Sequence, residues 1–107
     1  MFQYESPDQN KTPPKNSDIG GHHLAFYVDD MDEAIAFLKS EGVEVQGEPT
    51  SYTEGPNLGL TWCYFKAPWG QQLEVVSAPK GTVYDNEAKA SGKMRLFNPA
   101  LAKETLI

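Results

Sequence analysis

Cysteine is almost absent from this chain. Cys63 stands alone among 107 residues, so no internal disulfide can form, and a reducing, cytoplasmic setting fits best. Histidine is nearly as scarce, with His22 and His23 the only two. No nucleophile–base pattern surrounds Cys63, which reads as a small buried hydrophobe in a strand-like run. Positive charge is also sparse. Nine Lys and Arg face fifteen Asp and Glu, a net charge of −6, and the basic residues nowhere cluster. That argues against nucleic acid and anionic membrane surfaces as partners. No apolar run is long enough to span a bilayer, and residues 1–20 are polar and Pro-rich, unlike a signal peptide. A chain of this length is one domain or less, with a modest core.

Two short segments carry the chemistry. The first is Gly-Gly-His-His-Leu-Ala-Phe-Tyr-Val-Asp-Asp at 20–30; the second is Gly-Gln-Gln-Leu-Glu-Val-Val at 70–76. Read as strands, the first puts His23, Ala25 and Tyr27 on one face and Leu24, Phe26 and Val28 on the other. In the second, Gln72, Glu74 and Val76 oppose Leu73 and Val75. The apolar sets suit packing beneath a helix. An imidazole and a carboxylate on the opposite faces need a partner to satisfy them, and a divalent metal would serve. Tyr27, on the His23 face, is a candidate to line the same cavity.

The remaining elements follow in order. Residues 1–5 look like the tail of a strand that began earlier, and residues 6–21 read as a linker stiffened by Pro13-Pro14. After the strand at about 22–28, Asp30 is an N-cap candidate with Glu33 three positions on. Met31, Ala34, Ile35 and Leu38 form a helical apolar stripe, and Gly42 is the stop. Val43 and Val45 alternate with Glu44 and Gln46 in a second strand, followed by a polar loop over 47–58. A third strand covers 59–66, Ala67-Pro68-Trp69-Gly70 is a tight turn, and a fourth strand covers 71–77. Beyond Pro79 the pattern weakens, except that Asn98-Pro99 and the following residues read as a short capped helix. The segments divide as 1–19, partial strand and linker; 20–78, the βαβββ module; and 79–107, a tail.

His-Leu-Ala-Phe-Tyr-Val-Asp-Asp, the helix, Gly-Val-Glu-Val, and Tyr-Phe-Lys-Ala-Pro-Trp-Gly-Gln-Gln-Leu-Glu together resemble the vicinal oxygen chelate superfamily. That superfamily takes in glyoxalases, bleomycin-resistance proteins and extradiol dioxygenases. The resemblance covers about residues 20–77 and implies an α+β fold, one βαβββ module of the glyoxalase-like kind. It implies His23 and Glu74 as metal ligands, with His22 pointing away, and a divalent cofactor such as Zn, Ni, Fe, Mn or Co. Glu74 would double as the catalytic proton shuttle. A tyrosine in the corresponding strand of dioxygenase members lies in the pocket, which makes Tyr64 a substrate-contact candidate, although alternation through the turn leaves its facing open. Ala67 stands where the family commonly has Asp, a change expected to touch turn stability only. Trp62 and Trp69 are expected to be structural or interface residues, and the loop at 51–58 is either a lid or a surface excursion.

Family domains close a cup from two modules, and this chain carries one. Symmetric pairing of two chains would cover the open sheet face and edges, which predicts a homodimer, with residues 1–5 swapped into the neighbouring sheet. The expected activity is a metal-dependent lyase or isomerase of glyoxalase type acting on a small oxygenated substrate. The rivals are a metal-free, bleomycin-resistance-like ligand-binding protein and a half-domain that needs a partner module.

Overall fold

The computed structural model describes residues 2–92. The helix expected over 98–107 lies outside them. Along the chain run β1 (Ala25–Tyr27), α1 (Met31–Ser40), β2 (Val45–Ser51), β3 (Thr61–Lys66), β4 (Gln72–Ser77) and α2 (Val83–Ala90). The strands make one mixed sheet in the order β1-β4-β3-β2, so the first and last strands of the module lie side by side. β1 runs parallel to β4, and the other two pairings are antiparallel. This is an α+β architecture with α1 as the crossover between β1 and β2, as expected.

Helix α1 forms where its caps and stripe require it. The Asp30 carboxylate accepts from Glu33 N–H at 3.0 Å, satisfying one of the first-turn donors. At the far end Val43 N–H reaches Leu38 C=O and Gly42 N–H reaches Lys39 C=O, the paired bonds of a Schellman stop. Met31 and Ile35 from the helix meet Cys63 of β3 and Val75 of β4 in the buried core. Val28, Leu38, Val45 and Phe65 pack around them. Cys63 is 2% exposed. Burial pushes its thiol above the usual range, with the Glu48 charge adding to the shift, so it packs as a protonated hydrophobe.

Three departures from the sequence reading have local causes. β1 holds only three residues, so His23 precedes it rather than sitting within it. β2 begins at Val45 and runs on to Ser51, through residues expected in the loop. Its ladder pairs Gln46 with Tyr64 and then resumes at Thr50 with Trp62, so Gly47, Glu48 and Pro49 together oppose Cys63 alone. Gly47 takes a positive φ of 76°, and Pro49 needs no ladder donor there, so the bulge admits both. The third departure is α2, in the stretch beyond Pro79 where the sequence pattern weakens. Its start is a full capping box: Asp85 N–H donates to Thr82 Oγ1 at 3.2 Å, and Thr82 N–H donates to Asp85 Oδ2 at 3.1 Å.

α2 also ties down the 52–60 loop. Val83 N–H donates to Leu58 C=O and Tyr84 N–H to Pro56 C=O, at 3.1 and 2.8 Å. First-turn donors of the helix are thus spent on the loop, which is anchored along its second half.

Two substitutions should separate capping from packing. Asp30→Ala should cost about 1 kcal/mol of stability in urea unfolding, the usual worth of an N-cap. Ile35→Ala removes a core side chain and should cost about 2–5 kcal/mol. Equal losses would contradict the placement of Ile35 against Cys63 and Val75.

Candidate functional site

The sheet has two unlike faces. Cys63 and Val75 point to the helix. Alternation therefore sends Tyr64 and Glu74 to the opposite face, where they are direct cross-strand partners. Ala25 is the partner of Glu74 on the other side, so the face shared by Ala25 and Tyr27 is the same one. This resolves the facing of Tyr64.

His23 reaches onto this face from the residues just ahead of β1. Its Nε2 lies 2.9 Å from Glu74 Oε2, a contact between residues 51 apart in sequence. The two side chains keep 23% and 15% exposure, so the pair is sheltered and still open to a ligand. The backbone supports it directly, since Glu74 N–H donates to Leu24 C=O at 3.0 Å. Tyr64 completes the group. Its ring meets the His23 imidazole edge-to-face, with centroids 5.3 Å apart and planes at 81°. One histidine, one carboxylate and one phenol thus come from three neighbouring stretches of chain onto one sheet face.

The electrostatics follow from the packing. Burial raises the Tyr64 phenol above its ordinary value, and the adjacent Glu74 carboxylate adds to the shift. Tyr64 is therefore a hydrogen-bond donor throughout the neutral range. Tyr27 is raised as well, first by burial and then by the Asp29 charge. Its hydroxyl is sealed from solvent without a hydrogen bond among the described residues. Asp29 and the Ala78 backbone influence it without reaching bonding geometry. Tyr27 thus stands on the same face two positions further along, with its hydroxyl turned to surroundings other than the His23–Glu74 pair. Further out, Tyr52 and Trp62 stack at 4.7 Å with a 41° tilt. Tyr52 is not among the candidates that the sequence offers; its ring reaches Trp62 diagonally across the ladder, because the register after the β2 bulge pairs Trp62 with Thr50.

The donor set fits half of a metal site. Two atoms about 3 Å apart match neighbouring corners of a coordination shell with bonds of about 2.1 Å, and imidazole with carboxylate suits first-row divalent ions. No group of three or more His, Cys, Asp or Glu side chains able to hold a metal occurs among the described residues. One chain alone brings two donors. His22 sits elsewhere, on the wall of a separate cavity beside Trp69.

Comparison with known proteins agrees with the geometry. Residues 2–64 match the Glyoxalase/Bleomycin resistance protein/Dioxygenase superfamily, and the chain belongs to that superfamily. The matched span includes His23, Tyr27 and Tyr64 and also takes in the N-terminal segment. Among curated proteins, the chain is 43% identical over 100 residues to a 2-epi-5-epi-valiolone epimerase from Actinomyces sp, covering 92% of this chain and 52% of that one. Among solved structures, it resembles a glyoxalase family protein from Enterococcus faecalis, with a TM-score of 0.53 and 31% identity. That match covers 65% of this chain and 53% of the other. The chain thus spans about half the length of the relatives it matches. Superfamily members often use divalent metals. No helix among the described residues is long and apolar enough to cross a membrane.

The raised phenols make a prediction. Alkaline absorbance titration should show two late-ionising tyrosines, one of them lost in Tyr64→Phe. In Glu74→Gln the Tyr64 midpoint should fall but stay above its ordinary value, because burial is the larger cause. The folded chain keeps these protons after the unfolded chain loses them, so stability should decline as pH rises beyond about 10. A Tyr64 midpoint unmoved by Glu74→Gln would contradict their proximity.

Proposed function

We propose that this chain is one half of an isomerase site of the glyoxalase type, which epimerises a small oxygenated substrate next to a carbonyl. The observation that carries it is the convergence of His23 Nε2 and Glu74 Oε2 at 2.9 Å beside the Tyr64 phenol, on the face turned away from the helix. The epimerase relative supports the reaction class, and its named substrate, 2-epi-5-epi-valiolone, is the first compound to test.

The residues divide the work by their chemistry. Inverting a carbon centre requires removing a proton and returning one to the opposite face, which is accessible where the carbanion spreads onto a carbonyl oxygen. Glu74 takes the proton, its second oxygen, Oε1, making no hydrogen bond among the described residues. Tyr64, held protonated, donates to the oxygen as charge builds there. His23 fixes the carboxylate through Oε2. His23 and Glu74 would hold a divalent ion (Zn, Ni, Fe, Mn or Co), whose contribution when bound is to stabilise enolate-like charge.

One module leaves the reaction incomplete. Proton return needs a group on the opposite side of the substrate, and a metal needs more than two protein donors. A second copy facing this sheet supplies both, with the partner subunit's Glu74 as the opposing acid. The chain is therefore proposed to work as a homodimer around a shared cavity. A separately encoded first module would fill the same role. The metal-free alternative, a ligand-sequestering protein, is favoured only by the Tyr52–Trp62 pair as a stacking platform.

Native mass spectrometry before and after chelator tests the assembly. A dimer that releases one or two metal ions is expected; a metal-free monomer would overturn the shared site. In parallel, solvent-deuterium uptake into 2-epi-5-epi-valiolone tests the chemistry. Glu74→Gln should lower exchange by at least about a hundredfold, within the range for a positioned general base, while leaving the fold intact. Full exchange by that variant would remove Glu74 from the role.

A further inference from the structure

The loop that joins β2 to β3 is tied down at its base and again along its second half. At the base Tyr52 N–H donates to Leu60 C=O at 3.2 Å. Within the loop, Leu58 N–H donates to Gly55 C=O at 3.1 Å and Leu60 N–H to Asn57 C=O at 3.0 Å. From outside, Val83 and Tyr84 at the start of α2 hold Leu58 C=O and Pro56 C=O. Gly59 lies so near the lead-in to α2 that a Cβ there would stand 2.5 Å from the Gly81 carbonyl oxygen, and its φ of 107° already favours glycine. The loop and the start of α2 therefore pack backbone against backbone, a contact that leaves no room for a larger residue.

This loop begins with Tyr52, which it sets on the open face of the sheet. Thr50 pairs with Trp62, and Tyr52, two residues further on, rests its ring against the Trp62 indole with centroids 4.7 Å apart. Trp62 in turn precedes Tyr64 by two residues on β3, a step of about 7 Å along the same face. The Tyr64 phenol is raised by burial first, then by the Glu74 charge and by Tyr52, so the two phenols lie within electrostatic reach of each other. Tyr52 is 40% exposed, and its hydroxyl makes no hydrogen bond among the described residues. In the opposite direction along β3 and β4 the open face presents Lys66 and Gln72, which are direct partners. The aromatic wall thus stands at one end of the Glu74–Tyr64 row, and the other end is polar.

We propose that Tyr52 is a specificity-determining residue of the candidate site, a wall held by α2 that selects a ring over an open chain at the carbon next to the carbonyl. The proposal rests on the isomerase reading and adds a residue and a shape preference to it. With the reacting carbon at Glu74 and the carbonyl oxygen at Tyr64, the remainder of a substrate extends along the strands. On the Trp62 side it meets aromatic faces, which suit the C–H surface of a ring. An open-chain counterpart ends before the wall and gains nothing from it. Tyr52 has few rotatable bonds and the indole backs its ring, so little freedom is lost when a ligand seats against it. The bonds from α2 order the loop during folding, and binding energy is not spent on closing a lid.

The test follows deuterium uptake by the full chain with 2-hydroxycyclohexanone and hydroxyacetone, which share the reacting group and differ by the ring. Tyr52→Ala should raise KM for the cyclic ketone about tenfold, the scale of one aromatic contact, with kcat changing by less than about twofold. Both constants for hydroxyacetone should stay as they are, and Tyr52→Phe should keep most of the wild-type KM. Val83→Pro tests the hold of α2. Position 83 opens the helix, where proline is favoured, and Thr82 already has the extended ψ of 168° that precedes proline. That variant loses the bond to Leu58 and keeps the helix; it should speed hydrogen exchange at Leu58 and Leu60 and raise KM for the cyclic ketone alone. A Tyr52→Ala KM unchanged for the cyclic ketone, or raised equally for both, would overturn the proposal. So would a Val83→Pro chain with faster loop exchange and an unaltered KM. In each of those cases, loss of uptake in Glu74→Gln would leave the isomerase reading standing. If the wild-type chain exchanges neither ketone, the isomerase reading fails, and binding of 2-hydroxycyclohexanone followed at the Trp62 indole N–H decides for Tyr52. Weakening of about tenfold in Tyr52→Ala would support the wall; equal binding, or no saturable binding by wild type, would remove it.

Discussion

The parallel pairing of β1 with β4 is the constraint on which the rest of the structure depends. It sets Ala25 opposite Glu74 and hydrogen-bonds Leu24 C=O to Glu74 N–H. Without that register, the residue two places before Ala25 would not arrive beside the carboxylate of residue 74. A parallel pair cannot be closed by a tight turn. The chain must therefore spend α1, β2 and β3 between the two strands, and the same detour builds the helix that covers one face. Core and site are two consequences of one connection. Met31 and Ile35 meet Cys63 and Val75 below the sheet, while His23, Tyr64 and Glu74 meet above it.

That arrangement also supports the members of the site unevenly. Glu74 and Tyr64 belong to β4 and β3, the two inner strands of the sheet, whose ladder is continuous from Thr61 to Lys66. His23 lies outside any strand. Its side chain is positioned by Glu74 and by the edge of the Tyr64 ring rather than by a ladder of its own. The carboxylate and phenol thus stand on ladder backbone, and the imidazole does not.

Much of this was legible because the relevant patterns are local and periodic. The stripe Met31, Ala34, Ile35, Leu38 with Asp30 ahead and Gly42 behind specifies α1 almost residue for residue. The alternation in 72–76 places Glu74 opposite Val75 with no further information. What escaped was nonlocal or chemically atypical. The β2 bulge depends on β3 lying alongside, since only that partner shows Gly47-Glu48-Pro49 to be looped out of a continuing ladder. Helix α2 opens on Thr82-Val-Tyr-Asp85, a capping box in which Asp replaces the longer Glu or Gln, and its short stripe carries little periodicity. The same spacing rule, applied with Asp allowed, would have found it. The facing of Tyr64 was open for a different reason: the turn at 67–70 breaks the alternation count, and only the pairing of β3 with β4 restores it.

The exposed side of the sheet makes a physical demand of its own. Tyr64, Trp62, Val76 and Glu74 share it, each only partly buried. Apolar and aromatic surface on a sheet face is ordinarily covered, and a carboxylate beside it favours a partner that brings compensating charge or hydrogen bonds. Relatives about twice as long have the additional chain length to provide such a cover. A second copy of this chain would offer the same surface in return, with aromatic groups meeting aromatic groups. The His23–Glu74 pairs would then line a common cavity. Full burial of the Glu74 carboxylate under such a cover would carry a large desolvation cost unless a partner group met it. In the single chain His23 and Glu74 keep 23% and 15% exposure, so any cover over this face would shelter the pair further and strengthen its charge interactions.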